Sequence, residues 1–297
     1  PLMTDFHLLI KDWYRLNKRN LPWRNTTDPY QIWLSEIILQ QTRVDQGLSY
    51  YQKFTETYPT IHDLAMADED DILRNWQGLG YYSRARNMHA TAKEIVEKFN
   101  GKFPENYRDI RKLKGIGDYT AAAISSFAFN LPHAVVDGNV YRVLSRVFNI
   151  DTPIDSTEGK KQFSSLAEEL IDERFPAIHN QAIMELGALV CTPKNPNCSA
   201  CPLNSKCLAR AEKTIEFRPL KSKKTKIRPR YFHFFIFETS NEVVIEKRTE
   251  KDIWQHLFQF PLQESDAEMT PAAIEESVCL SPSKSSKPII HLYCFSH

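Results

Sequence analysis

Leu113-Lys114-Gly115-Ile116-Gly117-Asp118-Tyr119-Thr120 stands between two helical stretches, and the sequence after it, up to Phe129, is rich in alanine. Glycines at 115 and 117 permit a tight turn between helices. The helix beyond the turn offers the free N–H groups of Asp118, Tyr119 and Thr120, which suit a phosphate. Lys112 and Lys114 add positive charge. The stretch reads as a hairpin joining two helices, with Lys114, Gly115 and Gly117 as candidates to touch a phosphate. A plain helix–helix turn has the same local pattern, so the surroundings decide.

Helical periodicity extends on both sides. Leu8, Ile10, Trp13 and Tyr14 form an apolar face on a first helix, which Leu21-Pro22-Trp23-Arg24 then breaks. Residues 33–44 read as a helix with Leu34, Ile37, Ile38 and Gln41 facing one way. Pro59, Gly78, Gly80, Gly101 and Pro104 punctuate further helices over 50–58, 61–66, 69–76 and 83–99. Residues 140–148, 159–173 and 177–190 complete the helical part.

Cys191, Cys198, Cys201 and Cys207 follow, spaced C-x6-C-x2-C-x5-C. Four thiolates in so short a stretch can wrap one metal centre, and tetrahedral thiolate ligation selects zinc or an iron–sulfur cluster. Two disulfides are disfavoured, because a chain of 297 residues needs no staples, the cysteines are bunched and no signal segment is visible. Zinc ribbons carry paired C-x2-C knuckles, and only Cys198 and Cys201 form one. The unequal spacing, with Pro202 directly after the third cysteine, favours a 4Fe–4S cluster and a reducing compartment. Cys279 and Cys294 are left unpaired.

The length predicts about two domains. A hydrophobic content of 42% is enough for real cores, and a formal charge of +1 excludes a wholly basic nucleic-acid coat but not a local basic patch. The longest uncharged stretch, 119–136, is interrupted by Asn130, Pro132 and His133, so it reads as a buried helix plus a turn rather than a membrane span. Seven basic residues and no acid lie from Arg218 to Arg230, bracketed by Pro219 and Pro229, which predicts an extended linker. Strand patterns follow at 231–239 and 242–248, an aromatic-rich piece at 253–261, a helix at 269–278 and a strand-like tail at 288–295. The pattern stops in mid-course at His297, which reads as a truncation.

The order of hairpin, alanine-rich helix, Val136-Asp137-Gly138-Asn139-Val140 and cysteine cluster resembles the helix-hairpin-helix DNA glycosylase superfamily. The likeness is closest to the MutY-type adenine DNA glycosylases. It is carried by Leu21-Pro22-Trp23-Arg24, Trp33-Leu34-Ser35-Glu36, Leu39-Gln40-Gln41-Thr42, Gly78-Leu79-Gly80-Tyr81-Tyr82-Ser83-Arg84-Ala85-Arg86-Asn87 and Asn180-Gln181-Ala182. Together these cover nearly all of the first 215 residues. The resemblance implies a mainly α, two-lobed glycosylase core over 1–217, with a six-helix lobe at about 22–131 and a cluster lobe built from 1–21 plus 132–217. A basic linker over 218–230 and a partial, Nudix-like α+β recognition domain over 231–297 complete the expected organisation. The implied partner is double-stranded DNA containing an adenine mispair, bound by a monomer with no membrane. The implied cofactor is a structural 4Fe–4S cluster held by Cys191, Cys198, Cys201 and Cys207, with Lys194 and Lys206 presenting charge to the DNA. The implied location is the cytoplasmic nucleoid if the source is bacterial, or the nucleus or mitochondrion if it is eukaryotic.

In that family the Glu of the Leu-Ser-Glu motif, here Glu36, is the general acid, and the Asp at the place of Asp137 is the essential carboxylate. From the residues alone Glu36 shares a helix stripe with Gln40 and Arg43 that would ordinarily be solvated, and Asp137 reads as a helix N-cap. Adenine leaves badly as an anion, so a desolvated carboxylic acid must protonate its N7, and a carboxylate near C1′ must stabilise the oxocarbenium-like sugar. Asn139 is expected to orient water or Asp137. Tyr119 stands where bifunctional relatives carry lysine, and a phenol cannot form an imine, which implies a monofunctional enzyme. Gln181 resembles the position that hydrogen-bonds the flipped adenine, and Trp23 and Arg24 join it as base-binding candidates. Gln41 and Tyr81 are expected to fill the gap left by the flipped nucleotide. Arg84, Arg86, Arg142 and Arg146 are candidate phosphate contacts.

The segments Glu242-Val243-Val244-Ile245-Glu246-Lys247-Arg248 and Phe258-Gln259-Phe260-Pro261 resemble the family's Nudix-related domain without the acidic box of true Nudix enzymes. Recognition of 8-oxoguanine without hydrolysis is therefore expected, with Phe295, Ser296 and His297 matching the lesion-reading loop. Rival readings are a G·T thymine glycosylase, disfavoured by Glu36 and Gln181, a bifunctional pyrimidine-damage enzyme, disfavoured by Tyr119, and a non-catalytic iron–sulfur DNA-binding protein.

Overall fold

Capping explains where the helices begin. In the computed structural model Asp28 accepts a hydrogen bond from the Tyr30 N–H and Pro29 occupies the first helical position, so the second helix starts at Pro29. Thr60 and Asp63 form a reciprocal capping box, and Asn106, Asp137 and Ser156 each cap a further helix. The described residues are 2–222, 229–239, 241–252, 254–270, 272–273 and 291–296; for 2–4 and 291–296 only the backbone is described.

Among them the helices are α1 (Leu2–Asn17), α2 (Pro29–Ile38), α3 (Val44–Thr57), α4 (Ile61–Met66), α5 (Glu69–Trp76), α6 (Ser83–Phe99), α7 (Tyr107–Lys112), α8 (Asp118–Phe129), α9 (Gly138–Val147), α10 (Thr157–Leu170), α11 (Pro176–Leu189) and α12 (Leu208–Ala211). The expected 33–44 helix is displaced. It begins earlier, at its proline, and ends at Ile38, after which Leu39 to Thr42 form a turn. Glu36 therefore shares no helix stripe with Gln40 and Arg43. On α1 the buried face is Phe6, Ile10 and Tyr14, at i, i+4 and i+8, whereas Leu8 is 42% exposed.

The helices enclose two cores. One gathers Leu21, Trp23, Trp33, Phe54, Trp76, Ile95 and their neighbours from the segment up to Ile124. The other gathers Phe6, Ile10 and Tyr14 with residues from Ala122 to Leu203. Helix α8 serves both: Ala121 and Ile124 face the first core, Ala122 and Ala123 the second. Small side chains on both faces let the two layers approach this one helix closely.

The hairpin joins α7 to α8. Leu113 and Ile116 are buried under the turn, while Lys114, Gly115 and Gly117 are exposed. Thr91 Oγ1 donates to the Lys114 carbonyl at 2.8 Å and Arg111 Nη1 to the Ile116 carbonyl at 3.0 Å. The two glycines differ. Gly115 has φ +77°, and a Cβ there would lie 2.9 Å from Asn87 Cβ. Gly117 is extended, φ −91° and ψ 178°, and a Cβ would meet nothing within 4 Å. Only Gly115 is demanded by the turn. At Gly117 the missing side chain leaves the N-terminus of α8 open.

The chain divides between Lys223 and Lys224. Residues 218–222, read above as the start of a linker, pack on the first unit. The Ile154 N–H donates to the Leu220 carbonyl at 3.0 Å, and Ser222 donates to Asp155 through both its N–H and its hydroxyl. In the second unit β1 (Tyr231–Ile236) is the centre of an antiparallel sheet. Its neighbours, β4 (Leu262–Ser265) and β5 (His291–Ser296), lie on either side, and β2 (Glu246–Lys247) pairs separately with β3 (Phe258–Gln259). Arg230 joins this unit through ion pairs to Asp252 and Glu264. The predicted helix over 269–278 falls mostly outside the described residues.

The contrast between the two glycines is testable by thermal unfolding. Gly115→Ala should cost about 1–2 kcal/mol through its left-handed backbone and lower the midpoint by several degrees. Gly117→Ala should stay within about 0.5 kcal/mol of the parent.

Candidate active site

Five segments converge on a cavity of about 360 Å³. Helix α2 brings Glu36, the first turn of α8 brings Tyr119, and the start of α9 brings Asp137 and Asn139. Helix α11 brings Gln181, Met184 and Glu185, and the segment after α1 brings Arg19, Trp23 and Arg24. The fold thus gathers all the residues expected to act on the base and sugar.

Glu36 is only 9% exposed. Burial pushes its carboxyl up to about 7; a hydrogen bond with Tyr119 and the more distant Arg24 oppose that rise, and the nearby Asp137 adds to it. Tyr119 is held well above its ordinary value by the same burial and by the two carboxyls, so it remains a neutral phenol. Asp137 caps α9: its Oδ1 accepts from the Val140 N–H at 2.8 Å and its Oδ2 from Asn139 Nδ2 at 2.8 Å. Burial raises its pKa, but these donors and Arg142 pull the other way. Burial outweighs those donors, so the Asp137 carboxyl also lies above its ordinary range, while its two hydrogen bonds and the helix N-terminus oppose that rise.

Asn139 is itself held. Arg142 Nη2 donates to Asn139 Oδ1 at 2.8 Å and to the Gly187 carbonyl at 2.8 Å, while its Nε donates to the Cys191 carbonyl at 2.6 Å. A Cβ at Gly187 would lie 2.6 Å from Asn139 Cβ, so glycine is what lets α11 approach α9 so closely.

Glu185 lines the cavity and Tyr14 reaches Gln181 from outside it, and sequence reasoning missed both roles. Glu185 is fully buried and accepts from the Arg19 N–H at 2.8 Å, Arg19 Nε at 3.0 Å, Arg19 Nη2 at 2.7 Å and Arg24 Nη2 at 2.6 Å. These donors outweigh its burial and hold its carboxyl at about 2. Tyr14 Oη donates to Gln181 Oε1 at 2.8 Å, committing the amide oxygen and leaving Nε2 to donate. The available signal was the i, i+4 spacing of Gln181 and Glu185 on one helix face.

Outside the cavity, Gln41 and Tyr81 are exposed, Tyr81 by 49%, and both have left-handed backbones, at φ 56° and 46°. Three of the four arginines read as phosphate contacts are spent internally. Arg84 donates to carbonyls of the two turns that precede Gln41 and Tyr81. Arg142 is engaged as above. Arg146, 3% exposed, donates to the carbonyls of Thr192, Pro193, Ile215 and Arg218. Arg86 pairs with Glu69 at 3.7 Å. Lys194 is exposed, but Lys206 is ion-paired with Asp5 at 2.7 Å. Phe295 and Ser296 end strand β5, opposite Phe232 and Tyr231, rather than forming a loop, and His297 lies outside the described residues.

Cys191, Cys198, Cys201 and Cys207 line one cavity of about 30 Å³ together with Arg146 and Arg210. Arg146 Nη1 lies 3.4 Å from Cys191 Sγ. Among the described residues no three His, Cys, Asp or Glu side chains close on a single ion position. Four thiols around one void, with guanidinium groups beside them, suit a thiolate-ligated metal centre. Among the described residues no helix is long and apolar enough to cross a membrane.

Residues 34–172 match the family described as HhH-GPD superfamily base excision DNA repair protein. An adenine DNA glycosylase of Buchnera aphidicola subsp. Schizaphis graminum is 42% identical over 257 residues, 86% of this chain and 74% of that protein. The adenine DNA glycosylase of Homo sapiens is 43% identical over 217 residues, 70% of this chain and 40% of that protein. Among solved structures, a thermostable thymine-DNA glycosylase superposes with a TM-score of 0.66 at 28% identity, covering 71% of this chain and 97% of its own. A non-covalent endonuclease III–DNA complex shares the fold, with a TM-score of 0.60 at 20% identity over 71% of this chain and 97% of its own.

Burial of Glu36 has a measurable linkage. Its folded pKa of about 7 lies above an unfolded value of about 4.3, so the stability tied to its proton is complete at low pH and is lost as pH rises through 7. Glu36→Gln cannot lose that proton. Relative to the parent it should gain on the order of 2 kcal/mol between pH 5 and pH 8 in denaturant unfolding. An identical pH dependence in the two proteins would mean that Glu36 carries no such proton.

Proposed function

The chain belongs to the adenine DNA glycosylases of the HhH-GPD superfamily, and from that premise we propose that it removes adenine from duplex DNA by hydrolysing the bond between N9 and C1′. One observation carries the reading at the residue level: a cavity holds a carboxyl that burial pushes up to about 7, Glu36, beside one that accepts two hydrogen bonds at a helix N-terminus, Asp137.

Glu36 gives its proton to N7 of the extruded adenine. The C1′–N9 bond breaks and its electrons leave with the base. Asp137 faces the positive charge that develops on the sugar, and Asn139, fixed by Arg142, keeps Asp137 in place. Water then adds to C1′ and its proton passes to Glu36, restoring the acid. Tyr119 donates to Glu36 when that residue is ionised and offers no amine to the abasic sugar. The enzyme therefore leaves an intact abasic strand. Gln181, Trp23 and Arg24, with Arg19 and Glu185, form the wall that receives the base. Gln41 and Tyr81 fill the vacated space in the duplex, and Lys114, Gly115 and Gly117 bring the open N-terminus of α8 to a phosphate.

The four cysteines are read as the ligands of a 4Fe–4S cluster; when bound, it supplies structural closure of the loop from 191 to 207. The mispair partner is read as 8-oxoguanine or guanine, and the protein as acting as a monomer. The second unit is read as the Nudix-like part that senses the oxidised base. Its antiparallel sheet supports this, and the assignment of Phe295, Ser296 and His297 to lesion recognition rests on the sequence match alone. A thymine glycosylase remains the nearest rival chemistry, but the adenine relatives match at higher identity, 42% and 43% against 28%.

Base release from duplexes bearing A, T or uracil opposite 8-oxoguanine or guanine tests the reading directly. Adenine alone should be released, and faster opposite 8-oxoguanine. Above pH 7 the value of kcat/KM should fall about tenfold per pH unit as Glu36 loses its proton. Glu36→Gln should bind the duplex but release adenine about a hundred- to ten-thousand-fold more slowly. Release of thymine in place of adenine would overturn the substrate assignment.

Tyr119→Lys should acquire strand nicking at the abasic product. Borohydride should then trap the protein on DNA; absence of an adduct would place residue 119 away from the sugar.

A further inference from the structure

One guanidinium touches both exposed turns. Arg84 is the second residue of α6. Its Nη1 donates to the carbonyls of Ile37 at 3.1 Å, Ile38 at 3.2 Å and Gln40; its Nη2 donates to those of Leu79 at 3.1 Å and Gly80 at 3.2 Å. The group lies 5.0 Å from the Trp76 ring and 5.9 Å from the Tyr81 ring. Trp76 Nε1 donates to the same Gly80 carbonyl at 3.0 Å. Gln40 and Gly80 are the residues immediately before Gln41 and Tyr81. Both of those non-glycine residues hold left-handed backbones, which L side chains rarely adopt, so something in the surroundings must over-determine them.

A lysine could neutralise the C-terminal dipole of α2 equally well, but its three rotatable donors on one nitrogen cannot fork between two turns. Arg84 does fork: one terminal nitrogen serves the end of α2 and the turn before Gln41, the other serves the turn before Tyr81. We infer that Arg84 is a positioning residue that couples the two turns, so that Gln41 and Tyr81 enter the duplex as one unit. The inference rests on the proposed function, which makes these two side chains the wedge. It also links the wedge to catalysis, because α2, whose terminal carbonyls Arg84 holds, carries Glu36.

A double-mutant comparison tests the coupling. Extrusion is read by 2-aminopurine beside an uncleavable 2′-fluoro-adenosine opposite 8-oxoguanine, with the full chain. In the parent background Gln41→Ala and Tyr81→Ala should each cut extrusion roughly tenfold, and the pair together no more than about threefold further, because half a wedge does little. In the Arg84→Lys background the two losses should multiply. The salt dependence of binding should stay at the parent slope, since Arg84 touches no phosphate. Equal coupling in both backgrounds would overturn the role of Arg84, and a reduced salt slope would return it to the phosphate contacts. Should Arg84→Lys unfold, hydrogen exchange of the unaltered protein decides: amides of 40–42 and 79–82 should slow by the same factor on binding this duplex, and separate responses overturn the coupling. A parent that releases no adenine refutes the proposed function itself. A parent that releases adenine but is indifferent to both alanine changes refutes the wedge and Arg84 together.

Discussion

Desolvation of one carboxyl sets the terms for everything around it. Glu36 can keep a proton near neutrality only where water and cations are both held off. Two arginines line the same cavity, and either one placed against Glu36 would ionise it. Glu185 prevents this by taking the guanidinium groups of both Arg19 and Arg24. Two glutamates in one cavity consequently sit at about 7 and about 2, the first an acid and the second a permanent anion. The apolar wall of Leu21, Trp23 and Leu39, the caps that place α2 and α9, and the close approach of α11 all serve this separation of roles.

Buried arginines are the second organising element. Arg84, Arg142 and Arg146 each spend their donors on carbonyls at helix ends and turns, satisfying acceptors that would otherwise be stranded. A guanidinium has five donors in a planar fork, enough to serve several loops at once. Three of the 38 basic side chains are thus spent inside the fold.

The sequence made some of this plain and hid the rest for definable reasons. The hairpin was legible only through its order with the alanine-rich helix, Asp137 and the cysteines, and Asp137 because a cap has a local signature. The cysteines were legible by spacing. Glu36 was not, because periodicity placed it on a solvated stripe; the stripe vanished when α2 proved to end at Ile38. Arginines were misassigned because sequence cannot tell a side chain that faces solvent from one folded back on distant carbonyls; Arg146 reaches Arg218, 72 residues away. The partnership of Glu185 with Arg19 spans 166 residues, beyond any local pattern. Gly117 shows the reverse, since the motif says only that glycine permits a turn there, and the extended backbone does not require it.

Helix α8 has its side chains committed in two directions, Ala121 and Ile124 to one core and Ala122 and Ala123 to the other. Neither core can melt while the other keeps this helix, so the two lobes are bound into one cooperative folding unit despite their separate interiors. The same geometry removes the usual escape for a drifting sequence. A methyl group added on either face has no solvent side to turn towards, so the plainest run of letters in the chain, alanine after alanine, is where it has the least room to vary.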